Sequence, residues 1–255
     1  SDKSFPIRLS YLTNIFRQIP EPKFFVTCRQ FRVFGCASFF TNHEDTIQEL
    51  DKVIELSQKV CELVGMKLVE NRTLSPLHSE LLFPTIEGDS YVENDGMRKR
   101  AMSIAIGYQY GSSIEIPIRY RSTANRFKNP FMITFALCTN RLLFCLFEAH
   151  RDSLGFSLPS VLRPFDTILI PRSNKDLALS EHVLKDLSSC GLNVGIDDRL
   201  SRNIADRKAF ADYIGVPISL VVHNGYLYTN KRGELVSYQN QLDPVNAIPW
   251  AQESI

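Results

Sequence analysis

Apolar and polar positions along the chain fall into two stretches of different rhythm. In the first, long strand-like runs dominate. Residues 5–17 (FPIRLSYLTNIFR) read as a strand, a Pro-punctuated loop (IPEPK) follows, and a second strand-like run covers 24–34. Residues 41–66 carry the clearest helical period, with Ile47, Leu50, Ile54, Cys61 and Val64 on one face. Asn42 stands at the N-cap, Glu44 and Asp45 place negative charge in the first turn, and Gly65 supplies the stop. An apolar strand over 131–137 then runs into a helix that carries Arg141 near its start and buries Leu142, Leu143, Leu146 and Phe147. After a polar break with Gly155 and Pro159 the rhythm changes. Short strands at 167–170, 193–196 and 218–222 alternate with helices at 177–187 and 203–214. An Asn224-Gly225 turn and a Lys-Arg-Gly-Glu turn flank 226–228 and 235–238, which predicts a closing hairpin. Alternation of this kind describes a small mixed α/β domain.

The segment around Arg141 has a recognisable order: strand, Arg-bearing helix, H-R-D-x-x-G-x-x-x-P, R-P-F, strand. It resembles the third signature motif of class II aminoacyl-tRNA synthetases running into their anticodon-binding domain, in the version of prolyl-tRNA synthetases. Arg141, Glu148, Asp152, Gly155, Pro159, Pro164 and Phe165 fall in place, whereas Ile133, Ala136 and Cys138 stand where that family has three glycines. Residues 16–32, FRQIPEPKFFVTCRQFR, align without a gap to the second motif, F-R-D-E-x-R-P-R-F-G-x-x-R-x-x-E-F. Phe16, Pro22 and Phe24 are retained, as is Arg17, the arginine that grips the α-phosphate in the family. The acidic partner becomes Ile19, the second arginine becomes Cys28, and the final E-F becomes Phe31-Arg32. Residues 77–94 resemble S-H-E-F…G-E-D-x-I. In the segment similar to E-V-G-H-I-F-x-L-G, whose residues lie at the amino-acid pocket, Ser103 replaces the glutamate and Ala105-Ile106 the G-H pair. The stretch between these segments is too short for the editing insertion of bacterial-type prolyl enzymes, so the resemblance implies mitochondrial-type relatives. Asp197, Asp198, Arg199, Arg207-Lys208, Gly215 and Pro217 match the anticodon-binding domain, with Ile204 in place of a glycine. The resemblance spans nearly the whole chain. It implies an α+β / α/β protein, with a class II synthetase-like antiparallel sheet domain (1–163) followed by a mixed α/β anticodon-binding-like domain (164–255).

Composition adds bounds. With 255 residues, 44% hydrophobic and 22% charged, the chain is long enough for two ordinary globular domains. No run of about 18 apolar residues predicts a membrane span. Six cysteines make no CxxC pair and read as reduced thiols. His43, His78, His150, His182 and His223 lack ligand spacing, so no metal site is expected. The chain opens directly in ordered-looking sequence, and a leader and further residues are expected upstream. A net charge of +1 conceals an asymmetry. Residues 95–130 hold Arg98, Lys99, Arg100, Arg119, Arg121, Arg126 and Lys128 against Asp95 and Glu115. This basic N-terminal portion is the candidate nucleic-acid surface, expected to bind through charge and not sequence.

The departures from the family pattern set the functional expectation. Glycines let a cleft's backbone approach an adenine ring, and side chains at Ala136 and Cys138 would intrude on it. With the acidic residue, the second arginine and the G-H pair also replaced, the expected outcome is a pseudoenzyme without catalytic residues or cofactor. Arg17 and Arg141 would be relict positions paired to carboxylates such as Glu148 or Glu80. One established outlet for an inactive fold of this kind is the accessory subunit of mitochondrial DNA polymerase gamma. The expectation is therefore a processivity subunit in the mitochondrial matrix that binds the polymerase catalytic subunit and DNA. The alternative is a mitochondrial prolyl-tRNA synthetase or a tRNA-binding relative. Trp250, the only tryptophan, sits in the tail 242–255 and is the candidate anchor for a protein partner.

Overall fold

The computed structural model describes residues 4–23, 25–74, 77–94, 96–110, 118–234 and 237–241. They form two compact units, Ser1–Ala149 and His150–Ile255. In the first unit the elements are β1 (Ile7–Phe16), β2 (Gln30–Phe40), α1 (His43–Leu63), β3 (Val69–Leu74), β4 (Leu77–Pro84), β5 (Ser90–Asn94), β6 (Met97–Tyr110), β7 (Tyr120–Arg121), β8 (Phe127–Lys128), β9 (Phe131–Cys138) and α2 (Thr139–Ala149). Its sheet is antiparallel throughout, in the order β1-β2-β9-β6-β4-β3, with β5 paired to β6. This is the expected class II synthetase-like arrangement.

Two features of the sequence fix how α1 meets this sheet. The Asn42 side chain accepts from the Asp45 N–H at 2.8 Å, starting the helix, and Gly65 leaves it at φ +73. Leu50 and Ile54 then bury fully against the strands. Alternation along each strand assigns the faces. Ser38 of β2 and Gln109 of β6 reach Glu49 and Thr46 of α1, so their strand neighbours of the same parity look toward the helix. The opposite face stays open and holds the cleft described below. Glu49 was not among the expected buried positions. It is buried because Arg8 clamps both its oxygens, at 2.5 and 2.9 Å, and this pairing pulls its pKa below the usual carboxylate range. In α2 the buried residues are Cys145 and Leu146, while Leu143 is exposed, a quarter-turn away from the expected stripe. β2 begins later than its apolar run suggested, at Gln30, because residues 23–27 close a turn.

The second unit contains β10 (Arg151–Asp152), β11 (Gly155–Phe156), β12 (Thr167–Pro171), α3 (Asn174–Ser189), β13 (Val194–Ile196), α4 (Ile204–Tyr213), β14 (Ile218–His223), β15 (Tyr226–Lys231) and β16 (Ser237–Gln241). Its five-stranded sheet runs β13-β12-β14-β15-β16, parallel at β12 and antiparallel from β14 onward. Leu169, Val183, Leu187, Leu220 and Val222 fill one side and Ile168, Ile170, Ala211 and Val216 the other. Residues 150–163, placed with the first domain in the sequence reading, pack here. Gly155, at φ +140, lies so close to the Tyr213 main chain that a Cβ would sit 2.3 Å from its carbonyl oxygen. Asp152 accepts a bidentate pair from Arg232 at 2.6 and 2.8 Å.

Candidate active site

On the open face of the first sheet, a cavity of about 400 Å³ collects residues from β1, β2, β4, β5, β6, β9, α2 and two loops. Arg17 and Arg141, 124 positions apart (141 − 17), both line it. The strands bring them together: β2 pairs with β9, whose last residue leads directly into α2.

The two arginines are held differently. The Arg17 guanidinium rests over the Phe31 ring, 4.9 Å from its centroid, and forms no ion pair among the described residues. Its charge therefore faces the cavity supported by a ring face and not cancelled by a carboxylate. Arg141 is a clamp. Its Nε donates to the Val26 carbonyl at 3.0 Å, Nη1 to the Ser103 carbonyl at 3.0 Å, and Nη2 to Asp89 at 2.8 Å. One side chain thus ties the loop before β2, strand β6 and the loop before β5 around one cleft. The expected partners were Glu148 or Glu80. Instead Glu148 accepts from the Thr85 hydroxyl and the Ile86 N–H, and Glu80 lines the cavity with His78 Nε2 3.9 Å away. Sequence spacing could not have named Asp89, because the geometry of the loop between β4 and β5 decides which carboxylate reaches the arginine.

The clamp's value can be measured. Arg141→Lys keeps the charge but cannot make three divergent bonds. Two carbonyl acceptors lose their partner, each at a cost of about 1–3 kcal/mol. Chemical denaturation is expected to show a loss of about 2–4 kcal/mol, and a loss under about 0.5 kcal/mol would show that water replaces the clamp.

The strand register revises the cleft floor. Ile133 pairs with Ser38 on β2 and with Gln109 on β6, both on the α1 face, and its side chain is fully buried there. It does not touch the cavity. Ala136 and Cys138, of the opposite parity, do line it. So two of the three glycine replacements face the cleft, both are small, and the cavity remains open above them. Cys28, Ser103, Ala105 and Ile106 line it as well, confirming that the replaced family positions converge there. Tyr11 lies across its cross-strand partner Gly35, where any Cβ would stand 2.6 Å from the ring. That glycine is what admits the tyrosine to the cavity wall.

The seven cations of residues 95–130 separate into two groups. Arg98, Lys99 and Arg100 belong to the start of β6, with Arg98 stacked on Tyr91 at 4.3 Å and Lys99 on the opposite face. Arg119, Arg121, Arg126 and Lys128 belong to the β7–β8 ribbon and its flanks, beyond the other end of the 14-residue strand β6. A strand of that length separates its ends by roughly 40 Å. The cations therefore form two surfaces. Trp250 lies outside the described residues.

Comparison with known proteins agrees with this geometry. Residues 1–150 match the tRNA synthetase class II core domain (G, H, P, S and T). The chain belongs to this family. A proline–tRNA ligase of Prochlorococcus marinus is 27% identical over 158 residues, covering 57% of this chain and 26% of that protein. One from Coprothermobacter proteolyticus is 26% identical over 186 residues, covering 71% and 32%. The chain thus spans between a quarter and a third of the length of these curated relatives. Among solved structures, prolyl-tRNA synthetase from Cryptosporidium parvum complexed with halofuginone and AMPPNP superposes with a TM-score of 0.77 at 16% identity, over 100% of this chain and 54% of that one. The same enzyme complexed with L-proline and AMP gives 0.77 at 15%.

These findings overturn one expectation. The class II synthetase core relatives are named as proline–tRNA ligases, which are enzymes, and nothing in the comparisons marks a pseudoenzyme. The inactive reading rested on lost glycines that would close the cleft and on the replaced acidic residue, second arginine and G-H pair. The register takes Ile133 off the cleft floor and the cavity stays open above Ala136 and Cys138, so the closure argument fails, while Ile19, Cys28, Ser103 and Ala105-Ile106 stand as replacements along its wall. The expectation of a polymerase subunit was built on inactivity and falls with it.

Proposed function

We propose that the cleft binds proline and ATP and forms prolyl adenylate, the first half-reaction of a proline–tRNA ligase, as one part of a longer protein. The observation that carries this reading is the convergence of Arg17 and Arg141 on a single open cavity of an antiparallel class II-type sheet. A carboxylate oxygen of proline attacks the α-phosphorus of ATP, the bond to the bridging oxygen breaks, and pyrophosphate leaves. Negative charge grows on the α-phosphate oxygens as this happens. A preorganised cation in a partly dry cleft stabilises that charge more than water does. Arg17 suits the role because its guanidinium is oriented by Phe31 and not paired to an acid. Arg141, committed to two carbonyls and Asp89, shapes the cleft that receives the nucleotide. Cys28 occupies the place of the family's second cation, so the phosphate chemistry leans on Arg17 to an unusual degree.

Calorimetric titration of the chain with a non-hydrolysable prolyl-adenylate analogue tests the proposal. Saturable binding with a dissociation constant of about 1 μM or lower is expected. Binding no tighter than about 1 mM would overturn it.

A further inference from the structure

Between β6 and β9 the chain makes the β7–β8 ribbon, and residues 118–129 read IRYRSTANRFKN, with four cations and no acid. Main-chain bonds set its tip: the Ser122 N–H donates to the Arg126 carbonyl at 2.8 Å and the Asn125 N–H to the Ser122 carbonyl at 2.8 Å. The Ser122 hydroxyl accepts from the Arg126 N–H at 3.2 Å, and Asn125 takes the left-handed turn position at φ +62. Tyr120 is buried and fixes the foot of the ribbon by packing on Phe5, with ring centroids 4.8 Å apart. On this frame Arg119, Arg121, Arg126 and Lys128 are all exposed, and none pairs with an acid among the described residues. Phe127 stands directly across from Arg121 with 70% of its surface exposed, and cross-strand partners of this kind have Cβ atoms about 5 Å apart. Arg119, Phe127 and Lys128 border a hollow of about 550 Å³ whose lining holds no acid among the described residues. The cations at the start of β6 are placed differently. Arg98 lies opposite Glu93 and stacks on Tyr91, so part of that hairpin's charge is already answered.

We propose that the β7–β8 ribbon is a binding site for an unpaired stretch of RNA, its four cations taking phosphates and the Phe127 ring a base. Uncancelled cations attract the backbone whatever the sequence. An exposed ring beside them favours a single strand, because only a base outside a helix offers its face for stacking. The site is separate from the cleft. The cleft touches β9 at Ala136 and Cys138, whereas the ribbon leads into that strand at Phe131, roughly 17 Å from the nearer of them at a strand's rise per residue. The choice of RNA over other polyanions rests on the reading under Proposed function, since a tRNA ligase must hold an RNA; the charge and the ring stand without it.

Fluorescence anisotropy on the full chain, with an oligouridine of about 12 nucleotides and an RNA duplex of the same length across a salt series, tests the site. Replacing Arg119, Arg121, Arg126 and Lys128 together by Ala should weaken oligouridine binding about tenfold or more at ~0.1 M salt. The same variant should flatten the log–log salt slope by about 3, at about 0.7 for each single-strand phosphate. Replacing Arg98, Lys99 and Arg100 together by Ala should change neither. Phe127→Ala should weaken oligouridine about tenfold with the slope kept and leave the duplex unchanged, and Phe127→Tyr should retain the affinity. All these side chains are exposed, so melting temperatures should not move. Affinity and slope that the four-residue variant leaves unaltered would overturn the inference, as would an equal loss from the variant at Arg98, Lys99 and Arg100. Equal losses of oligouridine and duplex in Phe127→Ala would overturn the stacking role. Tighter binding to a phosphatidylserine vesicle than to either RNA, lost in the four-residue variant, would overturn the assignment to RNA in favour of a membrane surface. An unaltered chain that binds neither RNA below about 1 mM would overturn this inference alone, because the adenylate-analogue titration reads a different site.

Discussion

Arg17→Ala is expected to lower proline-dependent ATP–pyrophosphate exchange by about two to three orders of magnitude, the scale seen when one preorganised transition-state donor is removed. The argument is geometric. Arg17 lines the cavity, its guanidinium is set by the Phe31 ring, and it forms no ion pair among the described residues. Its charge is available to an oxygen that becomes more negative during reaction, which makes the interaction stronger in the transition state than in the ground state. The loss should therefore appear mainly in kcat, with KM for proline close to unaltered, because the arginine answers the phosphate and not the amino acid. Arg17→Lys should recover only part of the rate, since an ammonium cannot lie flat on a ring and present a planar fork at once. The measurement belongs on the full-length protein. A fall of less than about tenfold would take the α-phosphate role away from Arg17.

Which parts of this were legible beforehand follows from what sequence patterns encode. The α1 helix was readable because its cap, its first-turn acids and its glycine stop are all local, and local signals need no tertiary knowledge. The strand leading into α2 was readable for the same reason. Arg17 and Arg141 could be named from motif order, but their different roles could not. The clamp depends on carbonyls of Val26 and Ser103, main-chain groups that no side-chain pattern displays. Motif alignment grouped Ile133 with Ala136 and Cys138 because it ignores strand parity, and one residue of register moves a side chain to the other face. The seven cations looked like one patch because sequence distance hides the length of β6. Phe25, left-handed at φ +59, carried one signal, since it stands where the aligned second motif has a glycine.

The second unit offers a prediction independent of catalysis. Arg207 is 2% exposed, an unusual position for a guanidinium, and Asp197 is what makes it tolerable. Arg207 Nε lies 3.2 Å from Asp197 Oδ1, Nη1 donates to the Pro171 carbonyl at 2.7 Å, and Nη2 donates to the Asp197 carbonyl. Arg199 covers the outer side of the same carboxylate, donating at 3.0 and 2.6 Å while it stacks on Phe210 at 4.4 Å. The Asp197 N–H donates to the Leu169 carbonyl at 2.9 Å and so anchors the cluster to β12. Burial pushes the Asp197 pKa up, but the Arg199 hydrogen bonds and the charges of Arg207 and Arg199 outweigh burial and hold it below the ordinary value. Asp197→Ala leaves a buried cation without its counter-charge, and the expected cost is about 3–5 kcal/mol. Hydrogen exchange at the β12 and β14 amides reads this loss in the second unit directly. The sign with pH follows from the depressed folded-state pKa. The stabilisation is complete above the unfolded value of about 3.9 and fades as pH falls through the lower folded value. The gap between the unaltered chain and Asp197→Asn should accordingly be widest near neutrality and close in strong acid. A gap that stays constant from pH ~7 to pH ~2 would mean that the Pro171 and Asp197 carbonyls alone hold Arg207, and that the carboxylate contributes nothing to this unit.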